Sequence, residues 1–251
     1  MLTDELVRQG DWLFRRRSYA PLVLLPVAIL VMATHTRPWT DSLFWQRTYE
    51  VGCLLVSLLG VAVRMLAVGW AQPGSSGRNT QEQVADHLNV NGVYSVCRHP
   101  LYLGNILIVL GVMLFTRSLL FSLAGLLAYV LFYERIIAAE ERFLEGKFGE
   151  SFREWAARRP AWIPRWSLWV KPQRRFSVRA AIKGEFYGLT ALLVALLVLR
   201  TLDTRFSEGV WRLDLFWFAP AVVMLVLFVI LRYVRKHTRI LEEPSHKETV
   251  A

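Results

Sequence analysis

The chain has 251 residues, 54% of them hydrophobic, a mean hydropathy of +0.34 and a net charge of +10. Soluble domains sit nearer 45–50% apolar, and here the excess is gathered into blocks flanked by basic residues, which excludes an ordinary soluble core and argues against nucleic-acid binding. Ten Trp and fourteen Phe fit bilayer interfaces and lipid contact, and two lone cysteines, Cys53 in an apolar run and Cys97 in a basic loop, suggest neither a disulfide framework nor a zinc site.

Six apolar segments follow in order, at approximately 19–34, 51–70, 101–115, 118–133, 186–200 and 215–231. A bilayer-crossing helix needs about 20 residues, so the shorter runs must extend through interfacial aromatics or be partly re-entrant. Arg15, Arg16 and Arg17 precede the first run, and no small-residue cleavage site follows it, so it reads as an uncleaved span. The linker 134–185 is dense in Arg and Lys, and the tail begins Arg232, Arg235, Lys236. Six spans with both termini cytoplasmic put the basic stretches inside, as the positive-inside rule requires. The expected fold is all-α and polytopic, with about six transmembrane helices and no Rossmann domain. Gly74-Ser75-Ser76-Gly77 follows an apolar helix, lacks phosphate-loop spacing and reads as a flexible loop. The expected regions are a two-span part at 1–87, a core at 88–166, a basic linker with two helices at 167–235, and a polar, disordered tail at 236–251.

Segments 101–115 and 118–133 are separated by Thr116-Arg117-Ser118, which predicts an antiparallel helical hairpin. The second helix continues amphipathically through Glu140, Glu141 and Leu144 to Phe148, with Gly149 as its C-cap. A stretch rich in Pro and Trp, from Pro160 to Pro172, then reads as lying along the headgroups.

The hairpin matters because of what stands at its two open ends. Pro100 suits the first turn of a helix, which places Arg98 and His99 at a helix N-terminus, where an anion is favoured. Tyr102 adds a ring and a hydroxyl, and Gly104 allows close backbone approach. At 1.5 Å per residue the returning helix brings Glu140 and Glu141 back to the level of His99. Adjacent helical residues point about 100° apart, so one Glu is expected to face a ligand while the other pairs with Arg142 or another base. Alone, each piece has a plainer reading: Arg98 and Arg158 as headgroup anchors, His99 as a helix-end residue, the Glu pair as a solvated face. Their convergence on one membrane face makes the functional case.

Arg98-His99-Pro100-x-Tyr102-x-Gly104, a hairpin, Glu140-Glu141-x-x-Leu144-x-x-x-Phe148-Gly149, then Phe152, Trp155, Arg158, Pro160, Ile163 and Pro164 at their spacings resemble the isoprenylcysteine carboxyl methyltransferase and phospholipid methyltransferase superfamily over residues 88–166. The resemblance implies an integral-membrane enzyme, using S-adenosylmethionine without a Rossmann fold, acting on a lipid or amphiphilic acceptor. It implies that His99, Pro100, Tyr102 and Gly104, with Glu140 or Glu141, hold the cofactor, and that Arg158 lies near the acceptor. Arg98 or Arg158 would clamp an anionic acceptor. The superfamily commonly shows Tyr where this chain has Phe152 and Trp155, and an aliphatic residue at Arg159, which leaves acceptor identity open. Two alternatives are a sterol-reductase-type enzyme using NADPH, with Arg78 and linker bases adapted to the nucleotide phosphate, and a transporter or scaffold, for which Arg64 in segment 51–70 is the one intramembrane charge.

Overall fold

The structure is a computed structural model that describes residues 2–34, 40–72, 83 and 85–238. Gly74–Gly77, Arg78 and the tail beyond 238 lie outside the described residues. Among those described there is no strand; the elements are α1 (Leu2–Phe14), α2 (Ala20–Ala33), α3 (Leu43–Trp70), α4 (Val93–Val96), α5 (Pro100–Phe115), α6 (Leu119–Phe148), α7 (Glu150–Ala157), α8 (Val178–Glu208) and α9 (Leu215–His237), with a 3₁₀ turn at Trp166–Leu168.

All six apolar segments are helices, but only α3, α6, α8 and α9 are long and apolar enough to cross a membrane. At 1.5 Å per residue α2 and α5 extend about 21 and 24 Å, short of a hydrocarbon core of about 30 Å. Of the six expected spans, four are helices of spanning length and two are shorter, so the structure bears out four. The exposed face of α9, including Val223, Val226, Val229 and Ile230, is suited to lipid.

Several helices outrun their apolar segments, and the cause is buried polarity. α3 begins at Leu43 rather than near 51 because Gln46, Arg47 and Glu50 face partners rather than water. Arg47 pairs with Glu50 at 2.7 Å and with Asp214; Arg200 pairs with Asp203 at 2.9 Å and Asp214 at 3.1 Å; Trp217 Nε1 donates to Glu50 at 2.8 Å. Arg117, in the hairpin turn with φ 60°, pairs with Asp203. Three arginines and three carboxylates thus close one end of the bundle. Although partial burial pushes the Asp214 carboxyl up, hydrogen bonds from Arg47 and Arg200 outweigh it and hold it below the ordinary value. That contribution is present above the unfolded pKa and is lost as pH falls through the depressed folded value. Arg200→Met should lower stability by about 3–5 kcal/mol, because it leaves Asp203 and Asp214 short of a buried counter-ion. Thermal or denaturant unfolding in detergent reads this directly, and a change under about 1 kcal/mol would show the network to be ornamental.

The tightest helix contact is α3 against α5, made by small residues. A Cβ on Gly60 would lie 2.4 Å from Gly104 O, and one on Gly111 would lie 2.4 Å from Cys53 O. Ser57 Oγ donates to Ile108 O at 2.9 Å across the same seam. With apolar surroundings offering little drive to associate, close backbone approach and interhelical hydrogen bonds hold such helices together. The expected hairpin is present: Ser118 caps α6 by accepting from Phe121 N, and α6 runs to Phe148 with Gly149 as C-cap at φ 54°. The sequence reading did not foresee α1. It lies along α6, with Gly10 against Arg135 O and Asp4 paired with Arg142 at 3.1 Å. Of the two partners expected for the second Glu, Arg142 is taken by Asp4, and the other base is Arg98, which pairs with Glu141.

Candidate active site

The segment 92–99 is laced to the Pro- and Trp-rich stretch that follows α7. Gly92 N donates to Val170 O, Arg98 N to Pro160 O and His99 N to Ala161 O; Arg165 N donates to Val96 O, at 2.9–3.2 Å throughout. Ser95 Oγ donates to Gly92 O and accepts from Val170 N. Cys97 Sγ lies 3.2 and 3.3 Å from the carbonyls of Ala161 and Trp162, and burial pushes its thiol up to about 11. In a Cys53→Ser background, maleimide should label Cys97 only after unfolding at pH 8; rapid labelling of the native protein would mean that this seam is open.

The lacing fixes where Arg98 and His99 point. Glu141 Oε1 accepts from Arg98 Nε at 2.8 Å and faces His99 Nε2 at 2.9 Å. Arg98 Nη1 also donates to the carbonyls of Ala156 and Arg159 at 2.7 and 2.8 Å. Arg98 therefore ties the end of α7 to α6, and Glu141 holds His99 in place. Glu140 points elsewhere: its Oε2 lies 3.7 Å from His99 Nδ1, beyond hydrogen-bond range, and is buried with no hydrogen-bond partner among the described residues. The two carboxylates divide their tasks as the 100° helical step requires.

Glu140 lines a cavity of about 1000 Å³, at the upper end of ordinary small-molecule sites. Its upper wall includes Arg98, His99, Pro100, Tyr102 and Trp155; its lower wall is apolar, with Val112, Met113, Leu192 and Ala195. Tyr102 stacks between His99 (5.7 Å between ring centres) and Tyr133 (4.7 Å). Trp155 Nε1 is a second buried polar atom without a partner among the described residues. Tyr19, Leu22 and Leu25 of the α2 region and Tyr187 of α8 line the cavity while remaining exposed on the protein's outer face, so the wall between α2 and α8 is open sideways.

Arg98, His99, Pro100, Tyr102 and Glu140 line the cavity; Glu141 holds His99 without lining it, and two further residues depart. Gly104 does not line the cavity; its missing side chain makes room for Gly60 and Arg64 of α3. Arg158 caps α7 and is exposed outside the lining. Glu185, Asn105 and Tyr133 are not among the residues expected here, and Trp155, expected as part of the motif after α6, proves to line the cavity. Glu185 had one legible signal, a lone carboxylate at the border of an apolar run that also faces Arg64.

The phospholipid methyltransferase family model matches residues 48–151, which run from within α3 through α6 and carry the named residues of the upper wall except Trp155. The cobalt-zinc-cadmium resistance protein CzcN of Cupriavidus metallidurans is 39% identical over 175 residues, 67% of this chain and 76% of that protein. The nickel-cobalt-cadmium resistance protein NccN of Alcaligenes xylosoxydans xylosoxydans is 32% identical over 158 residues, 63% and 69% of the two chains. A protein-S-isoprenylcysteine O-methyltransferase of Schizosaccharomyces pombe is 29% identical over 117 residues, 46% of this chain and half of that one. No solved structure matches significantly. With the family match and a relative 39% identical over 76% of its own length, the chain belongs to the isoprenylcysteine carboxyl methyltransferase and phospholipid methyltransferase superfamily.

Proposed function

We propose that the protein transfers a methyl group from S-adenosylmethionine to an amphiphilic acceptor, in the cavity between His99, Glu140 and the apolar faces of α5 and α8. The observation that carries this reading is that Glu140 Oε2 and Trp155 Nε1, both buried and without a hydrogen-bond partner among the described residues, belong to side chains that line one cavity, as does the equally unpartnered Gln83 Oε1. A buried polar atom left unsatisfied costs about 1–3 kcal/mol, and a ligand bearing both a cation or hydroxyl donor and an acceptor relieves it. S-adenosylmethionine has an ammonium and ribose hydroxyls for Glu140, and a carboxylate and ring nitrogens for Trp155. Bound there, it supplies a methyl group made electrophilic by its sulfonium.

The chain's own residues then have three tasks. Glu140, Trp155 and Tyr102 orient, and Glu141 with Arg98 keeps His99 in place through its Nε2 contact. The apolar lower wall seats the acceptor's tail and excludes water, and the opening between α2 and α8 admits it from the bilayer. Methyl transfer is an in-line displacement governed by alignment, and a carboxylate or phosphate oxygen attacks without losing a proton. An amine or thiol acceptor must lose one, and His99 is the group placed to take it. Arg98, with three contacts already made, is a positioning residue in this reading; Arg158, exposed beyond α7, is left to meet an acceptor's charge at the mouth. In this reading the end of the bundle that carries the site, where Asp4 of α1 and Arg235 of α9 also lie, is its cytoplasmic end.

Two relatives are named for metal resistance. Methylating an acidic head group would remove a negative charge from the membrane surface and weaken its hold on divalent cations, which connects such a reaction to such a phenotype. The test is incubation of purified protein with methyl-labelled S-adenosylmethionine and a total lipid extract, followed by lipid separation. Label in a lipid band is expected and identifies the acceptor; cofactor binding without lipid label would move the acceptor to a small thiol or other soluble molecule.

A further inference from the structure

The cavity has a second polar level that the cofactor reading does not use. Arg64 stands six residues before the end of α3, so about 9 Å below it. Its Nε and Nη2 form a fork with Glu185 Oε2 and Oε1 at 2.7 and 2.9 Å, and its Nη1 donates to Asn105 Oδ1. Asn105 in turn donates to Tyr133 Oη at 2.8 Å, and the Tyr133 ring stacks on Tyr102 beneath His99. Arg64, Asn105 and Glu185 all line the cavity. Above them are His99 and Glu140; below them the lining turns apolar at Ile108 and Val112.

Resting on the methyltransferase reading, we propose that the Arg64–Glu185 pair is the specificity-determining anchor for the acceptor, receiving a phosphate or carboxylate oxygen of an amphiphile whose tail fills the apolar level below. A guanidinium has five N–H groups, and three are committed to Glu185 and Asn105, leaving two. The side chain of Glu185 is 4% exposed, whereas that of Arg64 is 24% exposed, and both border the cavity. An ion pair inside a membrane protein is costly, and one serving packing alone would bury both partners. Here the carboxylate fixes and neutralises the arginine while leaving donors facing the lumen, which suits an oxyanion with a matching planar fork. A cationic head is disfavoured at this level, because Arg64 already neutralises Glu185 and repels a second cation. Glu185 lies on α8, beyond the family match at 48–151, so the anchor is built by adding a helix to the shared core.

The test uses full-length protein in nanodiscs, with dodecyl phosphate and dodecylamine as probes read by tryptophan fluorescence, and S-adenosylhomocysteine binding followed in parallel. Arg64→Met/Glu185→Leu removes both charges without leaving an unpaired charge, and Arg64→Lys keeps the charge but loses the fork. Wild type should bind dodecyl phosphate saturably and dodecylamine at least tenfold more weakly. Both variants should lose tenfold or more for the phosphate while binding S-adenosylhomocysteine as wild type does. Undiminished phosphate affinity in Arg64→Lys, or in the double variant, would overturn the proposal, as would equal binding of the two probes. Failure of S-adenosylhomocysteine to bind wild type would instead remove the methyltransferase reading and leave the probe comparison to judge the anchor by itself.

Discussion

Glu140→Gln is expected to weaken binding of S-adenosylmethionine tenfold to a hundredfold while leaving unfolding almost unchanged. Glu140 Oε2 makes no hydrogen bond among the described residues, and the contact between Glu140 and the Tyr102 hydroxyl can be kept by an amide oxygen, so the folded state loses little. A hydrogen bond between charged groups contributes about 1.5–3 kcal/mol, and each 1.4 kcal/mol is a factor of ten in affinity. Glu141→Gln should behave differently, although the change is chemically identical and one residue away. Its Oε1 contacts both Arg98 and His99, so the substitution should lower stability by about 1–3 kcal/mol as well as impair binding. Glu141 retains 26% exposure, which keeps this below the cost of a fully buried pair. Calorimetry and thermal unfolding on the two variants separate the roles. If Glu140→Gln unfolds the protein and Glu141→Gln only weakens binding, the assignment is reversed.

Gly104→Ala should cost stability first and activity second. The added Cβ would stand 2.5 Å from Arg64 Cγ and 2.7 Å from Gly60 O. The Arg64 side chain can shift; the Gly60 backbone can do so only by parting α3 from α5. Overpacking of this kind costs about 1–3 kcal/mol. A glycine that lined the cofactor would show the opposite pattern, weaker binding with unchanged unfolding, and that result would return Gly104 to the site. The same experiment on Gly60, which meets Gly104 O at 2.4 Å, should give a loss of similar size.

Gly104 illustrates what the sequence carried and what it did not. A glycine in an apolar helix has two physical uses, approach of a ligand and approach of another helix, and local sequence does not distinguish them. The hairpin was legible because three turn residues between two apolar runs allow little else, and helical rise then brings Glu140 and Glu141 to His99. The division of labour between those two was foreseeable from the angle between them; which did which depended on Arg98, and its position is set by carbonyls of the α7 segment some sixty residues away. The extents of α3 and α8 were hidden for a related reason. Gln46, Arg47, Glu50, Arg200 and Asp203 look like the polar edges of spans until their mutual pairing is seen, and that pairing joins residues as far apart as 47 and 214. α1 was hidden because its amphipathic stretch needs α6 to lie against. Arg64 stood out as a charge in an apolar run, but its meaning waited on Glu185, a contact 121 residues away in sequence.

The most direct test of the central claim is a titration of purified wild-type protein with S-adenosylmethionine and, separately, with NADPH, followed by calorimetry. Saturable one-site binding of S-adenosylmethionine, lost in Glu140→Gln, with no heat from NADPH, is the expected result. Binding of NADPH with none of S-adenosylmethionine would contradict the account and make the site that of a reductase.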